Sequence, residues 1–106
     1  MKDYNNITVV GNLTADPEMR YTTEGTAITK FRVAVNSWKE GEVDFIPVVT
    51  FRRTAEIAGE YLRKGKKALV SGRLSIRQYE KDGQKRTIAE INASDVQMLS
   101  PRDAND

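Results

Sequence analysis

The sequence predicts an all-β fold, a five-stranded antiparallel barrel with one α-helix between strands 3 and 4. Three observations predict it. Residues 27–36, AITKFRVAVN, alternate strictly between apolar and polar side chains, which is typical of a half-buried antiparallel strand. TAEIAGEYLRKG is the one convincing helical pattern, and Asp82-Gly83 is a strong hairpin signal between two strand-like segments. Strand, strand, strand, helix, strand, strand is the order of an OB-fold barrel.

The first strand is predicted in ITVVGNL, with Ile7, Val9 and Leu13 on one face. Gly11 lies inside this segment, and a glycine within a strand often marks the sharp bend that barrel closure requires. The Asp16-Pro17 pair and Gly25 then indicate a turn region before the second strand.

The third strand, VDFIPVVTF, is apolar on both faces, so it is either buried between layers or carries a functional aromatic face. Pro47 cannot donate a ladder hydrogen bond, which favours an edge position or a bulge. In the helix that follows, Thr54 is the predicted N-cap and Gly65 the residue just past the end. We predict one domain over residues 1–100 and a short flexible tail over 101–106.

Composition excludes most catalytic chemistry. The chain has no cysteine and no histidine, which removes disulfides, thiolate or imidazole metal sites and histidine-based nucleophile pairs. We therefore expect no enzyme activity, no metal site and no cofactor. No run approaches the roughly 20 apolar residues that span a bilayer, and the polar N-terminus is unlike a secretory signal, so we expect a cytoplasmic protein without a membrane partner.

Charge is distributed unevenly along the chain. Residues 1–50 carry a net charge of −2, residues 51–86 carry +7, and residues 87–106 carry −3. A basic block within a mildly acidic chain suggests a polyanionic partner, although unevenly spread surface lysines are an equally simple explanation.

The sides of the strands that face away from the core combine cations with aromatic rings. A single nucleic-acid strand exposes one phosphate for every base, so guanidinium groups beside flat rings suit it, whereas a double helix hides its base faces. Each ring also has a structural alternative, because a strand phenylalanine is more often core, and each arginine could be an ordinary solvated charge. The candidate residues are Arg32, Phe45, Phe51, Arg73, Arg77 and Tyr79, with Trp38 and Lys85 at the loops.

Four segments resemble, in order and spacing, the bacterial single-stranded DNA-binding protein family, over roughly residues 4–99: VVGNLTADPEMRYTTEG, FRVAVNSW, AEIAGEYLRKG and SGRLSIRQYEKDG. The resemblance implies an OB-fold homotetramer that wraps single-stranded DNA without sequence preference in replication, recombination and repair, in the bacterial cytoplasm with the nucleoid. It also implies base stacking at the positions of Trp38, Phe45, Phe51 and Tyr79, and basic contacts at those of Arg20, Arg53, Lys64 and Arg77.

The resemblance does not extend to the acidic tail by which family members usually recruit replication or repair proteins, because this sequence stops at Asp106 after a few polar residues. A short paralogue devoted to DNA uptake, or a domain cut after its folded part, would both fit. Two alternatives stay open: an OB-fold adaptor of the primosome or DNA-uptake type that acts mainly through protein partners, and an RNA-binding protein.

Overall fold

A computed structural model describes residues 2–100, so the predicted tail over 101–106 lies outside the described residues. The predicted all-β class is confirmed, with the helix in its expected place between the third and fourth long strands. The elements in chain order are β1 (Ile7–Leu13), β2 (Glu18–Tyr21), β3 (Ala27–Asn36), β4 (Val43–Phe51), α1 (Arg52–Tyr61), β5 (Lys67–Lys81) and β6 (Gln84–Met98).

The strands form one sheet in the order β1-β5-β6-β4-β3-β2, and a further pairing of β1 with β3 closes it into the OB-fold ring. Most pairs are antiparallel, as predicted. The exception is β4 with β6, which run parallel where Val48 faces Ile91 and Val49 faces Asn92. Only these two residues of β4 pair with β6, so Pro47 has no partner on β6. This corresponds to the edge position that its missing backbone N–H favours.

Closure of the ring depends on Gly11. β1 pairs with β5 from Ile7 to Asn12 and then pairs with β3 through Asn12 and Leu13, so the chain changes partner at this point. A Cβ at Gly11 would lie 2.5 Å from the carbonyl oxygen of Ala34. The prediction that this glycine permits the bend of a closing barrel is therefore confirmed by a close backbone approach.

A β-bulge in the long hairpin was not predicted. Ser71 faces Asp95 whereas Gly72 faces Ala93, so Ser94 has no partner on β5. The extra residue reverses the inward parity of β6, which buries Ile91 and Ala93 before the bulge and turns Val96 and Met98 toward the core after it.

Three local predictions differ from the structure. Gly65, predicted just past the helix end, lies four residues beyond Tyr61, the last helical residue. The segment predicted as a turn contains β2, a four-residue strand that pairs with β3 from Glu18 to Tyr21. The helix begins two residues before Thr54, which therefore does not cap it; Thr54 instead donates a long hydrogen bond of 3.5 Å to the carbonyl of Ser94. At the other end, Arg63 Nη1 donates to the carbonyls of Leu62 and Gly59, so this cation does satisfy the helix terminus.

The core lies inside the ring and beneath α1. The predicted inward face of β3 is confirmed, since Thr29, Phe31 and Val33 are buried. Thr29 donates to the carbonyl of Ala55 at 2.7 Å, and Thr50 donates to the carbonyl of Thr29 at 2.9 Å, so the two buried hydroxyls join the helix to the barrel. No helix within residues 2–100 is long and apolar enough to cross a membrane.

Candidate nucleic-acid interface

The sides of β2 to β6 that point away from the core form one continuous surface, which we call the outer face. Residues paired across a sheet point to the same side of it. One row of paired residues runs across five strands on the side opposite the buried Thr29, Phe31 and Val33. Its members are Arg73 on β5, Asn92 on β6, Val49 on β4, which is itself only 7% exposed, Lys30 on β3 and Glu18 on β2.

Neighbouring rows bring most of the predicted cations onto this face. Arg32 is paired with Pro47, while Arg77 lies two rows beyond Arg73 on the same side of β5. Arg20 belongs to the row that continues through Ile28 to Phe51. Because alternate residues of a strand share a face, these pairings place Arg20, Arg32, Arg73 and Arg77 on one surface.

The four predicted rings all lie outside the core. Phe45, Phe51 and Tyr79 are on the outer face with exposed fractions of 59%, 36% and 42%. Trp38 is fully exposed in the β3–β4 loop, next to an ion pair of 3.6 Å between Lys39 and Glu42. Large apolar rings left in water, three of them on one face, are the kind of surface that a partner covers.

Three predicted cations lie elsewhere. Lys85 is paired with Glu80 and therefore points to the side of the hairpin opposite Tyr79. Arg53 is in the first turn of α1, 3.5 Å from the carboxylate of Glu56. Lys64 follows the helix, where its backbone N–H donates to the Asp16 carboxylate at 2.8 Å. The structure brings none of these three onto the outer face with the arginines.

A groove of about 400 Å³ crosses the outer face between the β1–β2 loop and the β5–β6 hairpin. Its polar walls mix cations with carboxylates, and Pro47 and Ile88 contribute apolar surface between them. The charged groups that line the groove are Asp16, Glu18, Lys30, Arg32, Arg77 and Glu90.

Within the groove, Arg77 and Glu90 form an ion pair across the hairpin. Arg77 Nε donates to Glu90 Oε1 at 3.1 Å. The arginine side chain is 52% exposed, whereas that of Glu90 is 15% exposed. The carboxylate is thus held against the wall of the groove while the guanidinium extends into it.

Sequence reasoning missed the contribution of β6 to this surface. The hairpin loop Asp82-Gly83 has both residues at positive φ, 54° and 77°, as a two-residue hairpin turn requires. Such a turn fixes the pairing of the strands that it joins, so the partners could have been obtained from the sequence by counting back from the turn. The outer-face residues found in this way are Arg86, Ile88, Glu90 and Asn92.

Among residues 2–100 the structure holds no group of three or more aspartate, glutamate, cysteine or histidine side chains that could hold a metal ion. The chemistry that this face offers therefore consists of cations, carboxylates and exposed rings.

The fold and this surface define a class, the OB-fold proteins whose sheet carries exposed rings and arginines on one face. The model of the single-strand binding protein family matches residues 4–99, and the chain belongs to that family. This confirms the resemblance that the sequence motifs indicated.

Relatives within this family are similar over nearly the whole chain. The single-stranded DNA-binding protein A of Bacillus subtilis is 45% identical over 104 residues, covering 92% of this chain and 60% of the relative. The single-stranded DNA-binding protein of Corynebacterium glutamicum is 44% identical over 101 residues, covering 86% of this chain and 45% of the relative. The chain therefore spans about half the length of these two proteins.

Proposed function

We propose that this protein binds single-stranded DNA without sequence preference, as a binding and protecting protein rather than an enzyme. The observation that carries the proposal is the strand register, which gathers four arginines and three exposed rings on the outer face. Unpaired bases can stack on the rings while the linking phosphates meet the arginines, so one surface satisfies both halves of a nucleotide.

The arrangement favours a single strand over a duplex for a physical reason. Phe45, Phe51 and Tyr79 project from the sheet as flat apolar surfaces, and stacking needs the face of a base. A duplex covers those faces with its own stacked neighbours and offers only base edges and phosphates. Stacking also discriminates weakly between bases, because every base has a π-face, which supports binding without sequence preference.

Several finer parts of the proposal rest on the family rather than on the geometry. Relatives at 42% to 45% identity are named single-stranded DNA-binding proteins. From the family resemblance we further propose a role in replication, recombination and repair in the bacterial cytoplasm with the nucleoid. By the same similarity we propose that the protein is a homotetramer. Contacts with replication or repair proteins, which the family resemblance implies, are a secondary part of the proposal.

Fluorescence titration tests the proposal directly, because Trp38 is the only tryptophan in the chain. Adding poly(dT) is expected to quench the indole emission saturably as bases stack on Trp38. Competition with oligo(U) of equal length then measures the preference for DNA over RNA. An unchanged spectrum together with no gel shift at moderate salt would contradict DNA binding and favour the adaptor alternative.

A further inference from the structure

On the outer face, Arg77 and Glu90 form an ion pair, so their two charges cancel. The 3.1 Å contact between Nε and Oε1 uses the N–H on the inner edge of the guanidinium. Arg77 pairs directly with Ile88 and Glu90 with Ser75, so the ion pair is diagonal across the hairpin. Both side chains therefore reach toward each other within the same groove.

The position of Glu90 distinguishes it from an ordinary surface carboxylate. With 15% of its side chain exposed, it has few solvent partners and a well-defined position. The salt screening that weakens exposed ion pairs acts less on a pair with one half-buried member. The positive charge of Arg77 is therefore already compensated by the Glu90 carboxylate of the same chain.

We propose that Glu90 is a positioning residue that orients Arg77 and, by neutralising it, lowers the affinity of the face for a polyanion. This inference rests on the proposed single-stranded DNA binding. The Glu90 carboxylate occupies Arg77 Nε–H, so a phosphate must compete with it for the guanidinium as well as approach a negative charge. The paired arginine consequently contributes less to binding than an arginine without a carboxylate at its side, which keeps the bound strand exchangeable.

The test compares Glu90→Gln with the wild-type protein in poly(dT) titrations over a range of salt concentrations. Glutamine keeps an oxygen that accepts from Arg77 Nε but removes the negative charge. We expect affinity to rise about three- to fivefold at low salt. We also expect the slope of log affinity against log salt to become more negative by about 0.7, the value of one additional phosphate on a single strand.

Two further variants separate this effect from general electrostatics. Glu60→Gln makes the same change in net charge at an exposed position on α1, an element that carries neither member of the pair, and we expect less than a twofold change. In an Arg77→Gln background, the gain in affinity from Glu90→Gln is expected to fall by at least half, because only direct repulsion of phosphate by the carboxylate remains once there is no guanidinium for the two to compete for.

An equal gain in affinity for poly(dT) in Glu60→Gln would overturn the proposal. An undiminished gain in affinity from Glu90→Gln in the Arg77→Gln background would overturn it as well. A spectroscopic measurement on the wild-type protein keeps the proposal testable should Glu90→Gln unfold. The Arg77 Nε–H signal, assigned by its loss in Arg77→Gln, is expected to exchange slowly with water and to shift when oligo(dT) is added. An Nε–H signal that exchanges with water as fast as that of a free arginine would contradict the ion pair between Arg77 and Glu90. Failure of the wild-type protein to bind poly(dT) would instead contradict the proposed function itself.

Discussion

At the scale of single residues, exposed rings differ in what surrounds them. Tyr79 and Tyr61 have almost the same exposed fraction, 42% and 43%, yet Tyr79 lies on the outer face and Tyr61 at the end of α1. Burial alone therefore cannot distinguish a stacking platform from an ordinary surface tyrosine, whereas the strand register can.

This difference predicts the outcome of alanine substitutions. Tyr79→Ala and Trp38→Ala should each weaken poly(dT) binding by about 1–3 kcal/mol, the usual contribution of one base stacked on one ring. Tyr61→Ala is the matched control and should change affinity by less than about 0.5 kcal/mol. Gel-shift titration of the three variants measures this, and equal losses for Tyr61 and Tyr79 would contradict the assignment of the face.

Gly72 illustrates a residue whose role is entirely structural. A Cβ there would clash with the carbonyl oxygen of Asn92 and with the Ala93 backbone, and backbone atoms move aside less readily than the end of a flexible side chain. Gly72→Ala should therefore lower the free energy of unfolding by about 2–4 kcal/mol in denaturant titrations.

Gly59 provides the comparison for Gly72. A Cβ at Gly59 would meet the sulfur of Met19 at 2.7 Å, and that flexible side chain can move. Because alanine also favours the helix, Gly59→Ala should leave the free energy of unfolding within about 1 kcal/mol of wild type. If both alanines prove equally harmless, the close approach at the bulge is not what requires Gly72.

At the scale of elements, the passage from β4 into α1 has no loop. Phe51 is still extended and Arg52, the first helical residue, has a φ of 57°. This left-handed conformation turns the chain between Phe51, which pairs with Ile28 on the outer face, and the helix. It costs an L-residue about 1 kcal/mol or more, which glycine largely avoids.

Arg52→Gly should therefore stabilise the fold by up to about 1 kcal/mol despite the added freedom of glycine in the unfolded chain. Arg53→Gly removes the same charge one residue later, where the helical backbone gains nothing from glycine, and should destabilise by about 0.5–1 kcal/mol. Thermal unfolding of the two variants compares them directly. Destabilisation by both would show that the positive φ of Arg52 is not a source of strain.

What the sequence could predict about the elements followed from periodicity. Alternation placed Phe31 and Val33 inside and Arg32 outside, because every second residue of a strand must share a face. β2 escaped prediction although its residues, EMRY, alternate between polar and apolar, because four residues beside the Asp16-Pro17 turn signal are too few to distinguish a strand from a turn; the strand exists through its pairing with β3. The prediction grouped Lys85 with the rings, but alternation alone does not give the pairing of β5 with β6. Counting the pairs back from the Asp82-Gly83 turn puts Lys85 opposite Glu80, on the side away from Tyr79.

The N-cap prediction failed for a different physical reason. Thr54 has the residue type and the position that a helix start needs, but α1 is anchored by β4, which runs straight into it. Its hydroxyl is directed to the carbonyl of Ser94, the residue left unpaired by the bulge. Tertiary contacts of this kind, between segments 40 residues apart, have no local signal.

At the scale of the whole molecule, folding brings the acidic and basic parts of the chain together. The basic block supplies Arg73 and Arg77 to the outer face, while the mildly acidic first half supplies Asp16 and Glu18 to the same groove. The outer face is therefore less positive than the linear charge distribution suggests.

The salt dependence of binding measures this balance. If about five phosphates are neutralised by each subunit, log affinity for poly(dT) should fall with log salt at a slope of about −3.5. Fluorescence titration at several salt concentrations gives the slope. A slope near zero would mean that the cations of the outer face do not contact phosphates, even if stacking on the rings is retained.

Association of subunits is the last expectation, and the strand edges support it. Over residues 7–11, β1 is hydrogen-bonded only to β5 among the described strands. Val10 on β1 and Leu74 and Ile76 on β5 are exposed apolar side chains. Free edges and apolar surface of this kind favour pairing with another chain.

Light scattering tests this association. It should give a mass four times that of the chain for the wild-type protein. Ile76→Lys should lower that mass while leaving the monomer folded, because Ile76 is 63% exposed. A wild-type protein that scatters light as a monomer would reject the tetramer, and tight binding of poly(dT) by that monomer would leave the stacking proposal intact.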